Sequence, residues 1–552
     1  MTIVRSKITY LKNLLSKDIS ESLILKALED IGTDPSIEDD EFVVDVYPNR
    51  PDMYSPEGIA RALRAYLEIS KGLPKFDVKK GELEVYVDPS MRGVRPYIAG
   101  AVIRNVKLSE EALESIMRLQ EALHESYGRK RRKVAIGIHD LDKVIPPFKY
   151  TTVNPQEIKF VPLNFEEALT PKEILELHPK GQEYGYIIKE FDRYPIILDA
   201  ENNVLSMPPI INGELTRVTE NTKNIFVDVT GTHLDSVIGA VNIVTASLLE
   251  HAEYAETVKI VYPDRTLYTP ELSPKEISVK REDVKKVLGA ELSDEDIVRS
   301  LEKMMYGIKK ITSEEITAVY SPIRRDILHP IDVIEDIAIG YGYERMGEEL
   351  PHEYSEGVPD ELLEELEEIR DIMIGLGFLE VVTFNLSSEQ SEFELMRTSR
   401  GPIVRILNPI SQEMNVVRRS LLPSLLRILA HNKDEGLPIM LFEVGEVVKD
   451  TYQNAYNLAF VIMDTKEATF TSMRRYVEAF LRYYCGSCGS LRMKDDSRFI
   501  PGRSAEILVN NISIGIFGEI HPEILVNFNL PYPVVAAEIS VEEALKALRS
   551  LP

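Results

Sequence analysis

Four carboxylates gather in one short stretch, Arg325-Asp326-Ile327-Leu328-His329-Pro330-Ile331-Asp332-Val333-Ile334-Glu335-Asp336. Pro330 can open a helix but cannot continue one from upstream. Ile331, Ile334, Ile337 and Ala338 then recur at helical spacing as a buried stripe. Asp332, Glu335 and Asp336 stand at i, i+3 and i+4, on one adjacent face. Asp326, across the His-Pro turn, can fold back toward that face. Carboxylates converging at a helix start suit a hard, oxygen-preferring cation, with magnesium the first choice. The alternative is a solvated acidic first turn favoured by the helix dipole. Spacing alone leaves both open.

A second constellation is polar and uncharged for the most part. Val204-Leu205-Ser206-Met207-Pro208-Pro209-Ile210-Ile211-Asn212-Gly213 is a rigid turn with short polar groups at its ends. Phe226-Val227-Asp228-Val229-Thr230-Gly231-Thr232 follows, and strand alternation puts Asp228, Thr230 and Thr232 on one face. Together they could line a concave pocket for a small hydroxylated ligand, or form a turn and an edge strand with a polar outer face.

Arg129-Lys130-Arg131-Arg132-Lys133 is a basic run in an acidic protein, either a phosphate-contacting loop or a solvated one. No aromatic residue is interleaved closely enough to suggest base stacking. Cys485-Gly-Ser-Cys488 has redox or zinc spacing, but no third cysteine and no nearby histidine complete a metal set, so incidental thiols are expected. A phosphate-binding glycine loop with lysine, a His-x-x-x-His pair and a nucleophile elbow are all missing.

The elements that must position these groups fall into segments. Residues 1–75 read as a helix near 20–31, a strand near 42–47, the turn Pro48-Asn49-Arg50-Pro51-Asp52 and a helix near 58–67 that Ser55 caps. Residues 90–262 mix strands near 97–103, 134–138, 194–198 and 224–230 with helices near 110–127 and 234–252. Residues 268–346 read strand, helix near 294–305, then the acidic helix. Residues 355–552 open with an amphipathic helix near 359–375 and a strand near 378–384. Further strands near 440–448, 458–463 and 512–518 indicate a largely antiparallel sheet.

The chain of 552 residues is long enough for several domains. Its formal net charge of -26 excludes bulk electrostatic binding of nucleic acid, so any RNA contact needs a local basic patch. Two cysteines exclude a disulfide framework and point to a reducing cytoplasm. No apolar window is long enough to span a membrane.

Four signatures in order resemble the β chain of phenylalanine–tRNA ligase in its shorter archaeal and eukaryotic form. The first is Asn49-Arg50-Pro51-Asp52 with Gly58-Ile59-Ala60-Arg61, and the second is the Leu205–Asn212 and Asp228–Thr232 pair. The third is Arg325-Asp326-Ile327 through Ile334-Glu335-Asp336-Ile337 to Tyr341-Gly342-Tyr343. The fourth comprises Asn408-Pro409, Arg419-Ser420-Leu421-Leu422-Pro423, Phe442-Glu443-Val444-Gly445, Pro501-Gly502-Arg503-Ser504-Ala505 and Gly518-Glu519-Ile520-His521-Pro522.

The resemblance implies a multidomain α+β chain. Its parts are an N-terminal domain, an α+β tRNA-binding and editing domain, a small helix–strand domain, and a catalytically inactive, class II synthetase-like domain with an antiparallel sheet. It implies a cytoplasmic α2β2 tetramer in which the α subunit attaches L-phenylalanine to tRNA-Phe using ATP, giving AMP and diphosphate. This chain would carry the editing site that hydrolyses Tyr-tRNA-Phe, with Ser206, Asn212, Asp228 and Thr230 at matching positions. Asp228 or its neighbours would recognise the amino-acid part, and Ser206 and Thr230 would help place water at the ester. Asp326, Asp332, Glu335 and Asp336 match positions assigned to Mg2+, shared with the α chain. The last domain shows no glycine-rich strand ending in arginine and no Phe-Arg-x-Glu, so assembly is its expected work. Two other classes stay open: a scaffold that kept the folds and lost editing, and a free-standing magnesium-dependent hydrolase built on Asp326 and Asp336.

Overall fold

The strand Ile225–Gly231 lies between Tyr97–Arg104 and Val134–Asp140, antiparallel to both, and is buried along its whole length. A run buried on both faces needs covers on both, which explains why its sequence is almost continuously apolar apart from Asp228 and Thr230. One cover is the helix Leu234–Leu248, apolar on nearly every side and buried from Ser236 to Leu248 except Ile238. The most apolar window of the chain is therefore a core helix, and no helix among the described residues is long and apolar enough to cross a membrane.

The computed structural model describes residues 2–348, 350, 356–450, 453–486 and 489–549. The chain divides into two units, Met1–Leu350 and Pro351–Pro552. In the first, a three-stranded antiparallel sheet pairs Glu41–Val46 with Thr2–Lys7 on one side and Asp34–Glu38 on the other. The helix Pro56–Tyr66 follows, with the Ser55 hydroxyl accepting the Gly58 N–H at its start. A Cβ on Gly58 would stand 2.0 Å from the Asp52 carbonyl oxygen, so the Asp52 turn and this helix can only meet at glycine.

The large sheet is mixed and runs 211–212, 204–207, 194–198, 148–153, 84–87, 254–261, 97–104, 225–231, 134–140. Its far end folds back through the hairpin of Val204–Met207 with Ile211–Asn212, which sets Ser206 directly opposite Asn212. A third sheet, Lys275–Lys280, Glu315–Tyr320 and Gly307–Ile311, carries the helices Asp294–Lys303 and Pro330–Tyr341.

The second unit is a seven-stranded sheet, antiparallel except where Leu379–Glu380 joins Ile439–Asp450 in parallel. Period-two alternation sorts Gln453–Met463 between two cores: Leu458, Phe460 and Ile462 join one, Ala459, Val461 and Met463 the other. The helices Glu361–Gly375 and Phe470–Cys485 cover the first face, and Leu422–His431 the second. The strand expected at 378–384 is reduced to Leu379–Glu380. Beyond it Thr383 gives its N–H and its hydroxyl to the Glu443 carboxylate, at 3.2 and 2.7 Å, in place of a strand ladder. Cys485, at the end of its helix, is not a free thiol, which overturns the expectation of incidental thiols; Cys488 lies outside the described residues.

Candidate functional site

Ser206, Asn212, Asp228 and Thr230 arrive from one strand and a hairpin to line one cavity of about 430 Å³. Asp228 and Thr230 stand two residues apart on the same face of Ile225–Gly231. Thr232, expected on that face, lies beyond the strand's end and is exposed in a separate depression. The helix Glu110–Glu125 supplies the facing wall, where Leu113, Met117, Gln120 and His124 follow helical spacing.

Asp228 is 1% exposed, so its carboxylate requires a partner. His139 Nε2 stands 2.7 Å from Asp228 Oδ2, and His139 Nδ1 stands 2.8 Å from the Thr216 hydroxyl. Gly137 makes the pair possible. It faces Asp228 across the sheet, and a Cβ there would fall 2.1 Å from Asp228 Oδ2 and 2.6 Å from His139 Nε2. One carboxylate oxygen is thus engaged, and Oδ1 remains for a ligand.

Thr230 is positioned by the buried Arg95, which donates from Nε to the Thr230 hydroxyl at 2.9 Å and from Nη2 to its carbonyl at 2.7 Å. Burial pulls the Arg95 guanidinium down to about 10, against the attraction of Tyr150 and Asp228. Ser206 Oγ is buried and has no hydrogen-bond partner among the described residues. The hydrogen-bonded base that activates a serine nucleophile is thus not in contact with Ser206 among the described residues.

The other end of the cavity is charged. His124 Nε2 accepts the Ile136 N–H at 2.8 Å, so the proton of the neutral ring sits on Nδ1, which faces Glu121 Oε1 at 3.5 Å. Desolvation lowers the His124 pKa more than Glu121 raises it. For Glu121, burial pushes the carboxyl up, but His124, Arg131 and Lys180 outweigh it and hold it at about 2.

The basic run divides in two. Arg131 is buried, donates to the carbonyl of Ile210 at 2.8 Å and to Glu121 at 2.6 Å, and lies over the Tyr184 ring. It locks the Pro208–Ile210 turn. Arg129, Lys130, Arg132 and Lys133 border an open depression with Tyr186, Thr232 and His233. Arg132 lies over Tyr186, 5.0 Å from the ring centroid. Lys133 lies over Tyr127, just before the run, at 5.7 Å from the ring centroid, and residues 184–186 supply the other aromatic neighbours.

The four acidic residues do not form one donor set. Arg324, buried, holds Asp326 through two nitrogens, with Nε to Oδ1 at 2.9 Å and Nη2 to Oδ2 at 2.6 Å. The same Nη2 reaches Asp336 Oδ2 at 2.7 Å, and the Tyr306 hydroxyl donates to that oxygen at 2.6 Å. A guanidinium therefore stands between the two aspartates where a cation would have to go. Asp332 turns the other way, accepting the N–H groups of Leu328 and His329, each at 2.7 Å, in a capping box. Glu335 is exposed, and its pKa is raised by desolvation first and then by its three acidic neighbours. No group of three or more His, Cys, Asp or Glu side chains able to hold a metal ion occurs among the described residues. As the side chains stand in this chain alone, Arg324 occupies the place between Asp326 and Asp336 and Asp332 caps the helix, so the four carboxylates are not one open donor set. Ile331, expected in the buried stripe, is 45% exposed; Ile334, Ile337 and Ala338 are buried as expected.

His139 escaped the sequence reading because strand pairing brings it in, and Thr216, on the turn Glu214–Thr216, and Arg95, just before the strand Tyr97–Arg104, because tertiary packing does. One local signal was Gly137 and His139, two residues apart in a strand that is apolar through Ile138. The helical spacing of Gln120 and His124 was a second.

Three family models match consecutive parts of the chain: a B3/4 domain at residues 94–245, a tRNA synthetase B5 domain at 277–343 and a phenylalanyl tRNA synthetase β chain CLM domain at 348–541. The phenylalanine–tRNA ligase β subunit of Methanothrix thermoacetophila is 42% identical over 525 residues, covering 95% of this chain and 96% of its own. That of Pyrococcus furiosus is 44% identical over 497 residues, covering 89% of each. A crystal structure of an N-terminal fragment of the Pyrococcus horikoshii phenylalanyl-tRNA synthetase β subunit matches with a TM-score of 0.60 at 41% identity. It covers 62% of this chain and all of the fragment.

Proposed function

The chain belongs to the phenylalanine–tRNA ligase β-subunit family, and on that premise we propose that its cavity around Asp228 hydrolyses tRNA-Phe wrongly charged with tyrosine. An aminoacyl-tRNA synthetase needs such a site because an apolar pocket rejects an added hydroxyl by only ~100-fold. A site that demands the hydroxyl discriminates better, since a ligand lacking it leaves buried polar groups unpaired.

The observation that carries this reading is the meeting of Ser206, Asn212, Asp228 and Thr230 at one half-apolar cavity, with a buried carboxylate on its wall and an unpartnered hydroxyl beside it. Leu113, Met117, Ile136 and Ile138 offer a wall for an aromatic ring. Asp228 Oδ1 accepts from the amino-acid part. Ser206 and Thr230 position a water at the ester carbonyl, where its oxygen bonds to carbon, the bond to the tRNA hydroxyl breaks and that hydroxyl regains a proton. An ester adjacent to a free hydroxyl needs chiefly an oriented water. The depression bordered by Arg129, Lys130, Arg132 and Lys133, with Tyr186 beside it, suits the phosphates and a stacked base of the tRNA end.

Charging itself belongs to an α subunit in an α2β2 assembly, which binds L-phenylalanine and ATP, and unit Pro351–Pro552 serves assembly. The chain alone then gives no phenylalanine-dependent ATP–diphosphate exchange. The decisive experiment is Asp228→Ala in the assembled enzyme. Deacylation of Tyr-tRNA-Phe should fall about a hundredfold while phenylalanine charging is retained. Unchanged deacylation removes the cavity from editing.

A further inference from the structure

The second unit contains a cavity of its own, about 430 Å³, between the helical turn Gln390–Glu394 and the strands of the sheet. Glu392, Asn457 and Glu538 line it and are 6%, 5% and 8% exposed. Glu538 is satisfied: it accepts from the Leu421 N–H, the Ser420 hydroxyl and the Asn457 amide, at 2.9, 2.7 and 2.9 Å. The other two are not. Glu392 Oε2 accepts the Arg419 N–H at 3.0 Å, but Glu392 Oε1 and Asn457 Oδ1 have no hydrogen-bond partner among the described residues. Ser387 lies close enough to stabilise the Glu392 carboxylate without bonding Oε1. Both orphans are acceptors, so what is missing is a donor.

The charges point the same way. Desolvation first, and the neighbouring Glu538 with it, raises the Glu392 pKa against the weaker pull of the Arg419 N–H, Ser387 and Arg427. The rim has the opposite imbalance. The Arg419 guanidinium donates to the Lys449 carbonyl and the Lys449 ammonium to the Ser540 hydroxyl, at 3.3 and 2.6 Å, and neither side chain has a carboxylate partner among the described residues. A metal ion would not supply the hydrogen-bond donors, and no metal-holding group occurs among the described residues.

We propose that this cavity binds a small zwitterion of amino-acid type, its ammonium group donating to Glu392 Oε1 and Asn457 Oδ1 and its carboxylate facing Arg419 and Lys449. An ammonium carries three donors on one compact charge and meets both orphans at once. The site is independent of the editing reading, because all its residues lie in the other unit.

The test is titration calorimetry on the full chain carrying Asp228→Ala, which disables the first cavity's carboxylate. L-phenylalanine, L-leucine and L-serine are the probes, with phenylethylamine and 3-phenylpropionate as controls. At least one amino acid should bind saturably at one equivalent. Phenylethylamine should bind more weakly, and 3-phenylpropionate not at all. Glu392→Gln, which keeps the bond to the Arg419 N–H, should weaken binding by about tenfold to a hundredfold. If that variant is unstable, Arg419→Met and Lys449→Met carry the test: each should weaken the amino acid and leave phenylethylamine unchanged. No saturable binding by any probe, equal binding of 3-phenylpropionate, or affinity indifferent to all three substitutions overturns the proposal. So does a crystal structure soaked with the amino acids that holds only water at Glu392 Oε1.

Discussion

Asp228 and Asp336 are both buried aspartates on regular elements, and the sequence marks both as candidate ligands. Their surroundings separate them. Asp336 shares a guanidinium with Asp326 and accepts the Tyr306 hydroxyl in a packed interior, so its charge is met from within the chain. Asp228 has a histidine on one oxygen and a cavity beside the other. A carboxylate that faces a guanidinium of its own protein is a structural strut; one with an oxygen beside a cavity is open to a ligand. The distinction turns on whether a cation of the chain or a cavity faces the acid, and spacing along a helix or strand says nothing about that.

The largest test of the comparison is Arg324→Met. It leaves Asp326 and Asp336 buried together with only Arg50, itself paired with Asp52, as a counter-charge, and unit Met1–Leu350 should lose about 3–5 kcal/mol in denaturant unfolding. Asp326 is held below its ordinary pKa: burial raises it, and Arg324 more than reverses that. Its stabilisation is therefore complete above the unfolded value, about 3.9, and is lost as the pH falls through the folded one. The gap between wild type and variant should narrow on acidification. Magnesium should leave the wild-type midpoint where ionic strength alone puts it. A saturable magnesium-dependent rise that Asp336→Asn removes would erase the contrast and restore a cation at the strut.

Gly137→Ala comes next and acts on the other member. The added methyl carbon would stand 2.1 Å from Asp228 Oδ2, so the Asp228–His139 pair must separate. The overpacking should cost about 1–3 kcal/mol. Tyr-tRNA-Phe deacylation should fall with it while phenylalanine charging persists. If deacylation survives while stability drops, the pair is a strut as well and the comparison fails.

The two aspartates also show what the sequence could and could not reveal. Period-two alternation places Asp228 and Thr230 on a common face, and helical spacing places Asp332 and Asp336 near a helix start; both placements hold. Arg324 adjoins the acidic stretch in sequence, but its orientation depends on Met304 and Tyr306, which pack from another part of the domain. His139 reaches Asp228 through strand register, fixed only when Val134–Asp140 pairs with Ile225–Gly231. Local patterns identify faces; partners across faces come from tertiary packing. The same limit hid Tyr184 and Tyr186 beside the basic loop, which come from a distant part of the chain.

That basic loop repeats the contrast between strut and recognition group within five consecutive residues, and it gives the smallest effect. Arg131 holds the carbonyl of Ile210 and the Glu121 carboxylate and lies over Tyr184, so Arg131→Met should loosen the turn that carries Pro208 and Pro209. Deacylation should then slow at every salt concentration, because the fault is in the shape of the cavity. Lys130 is exposed beside the depression. Lys130→Met should leave folding and the hydrolysis of a minimal aminoacyl ester untouched. It should weaken tRNA only in proportion to one lost phosphate contact, reducing the slope of log affinity against log salt by about 0.7 for a single-stranded end. A salt slope altered equally by both substitutions would mean that Arg131 also faces RNA. The buried and exposed halves of the loop would then share one function, and burial would no longer separate struts from ligands in this fold.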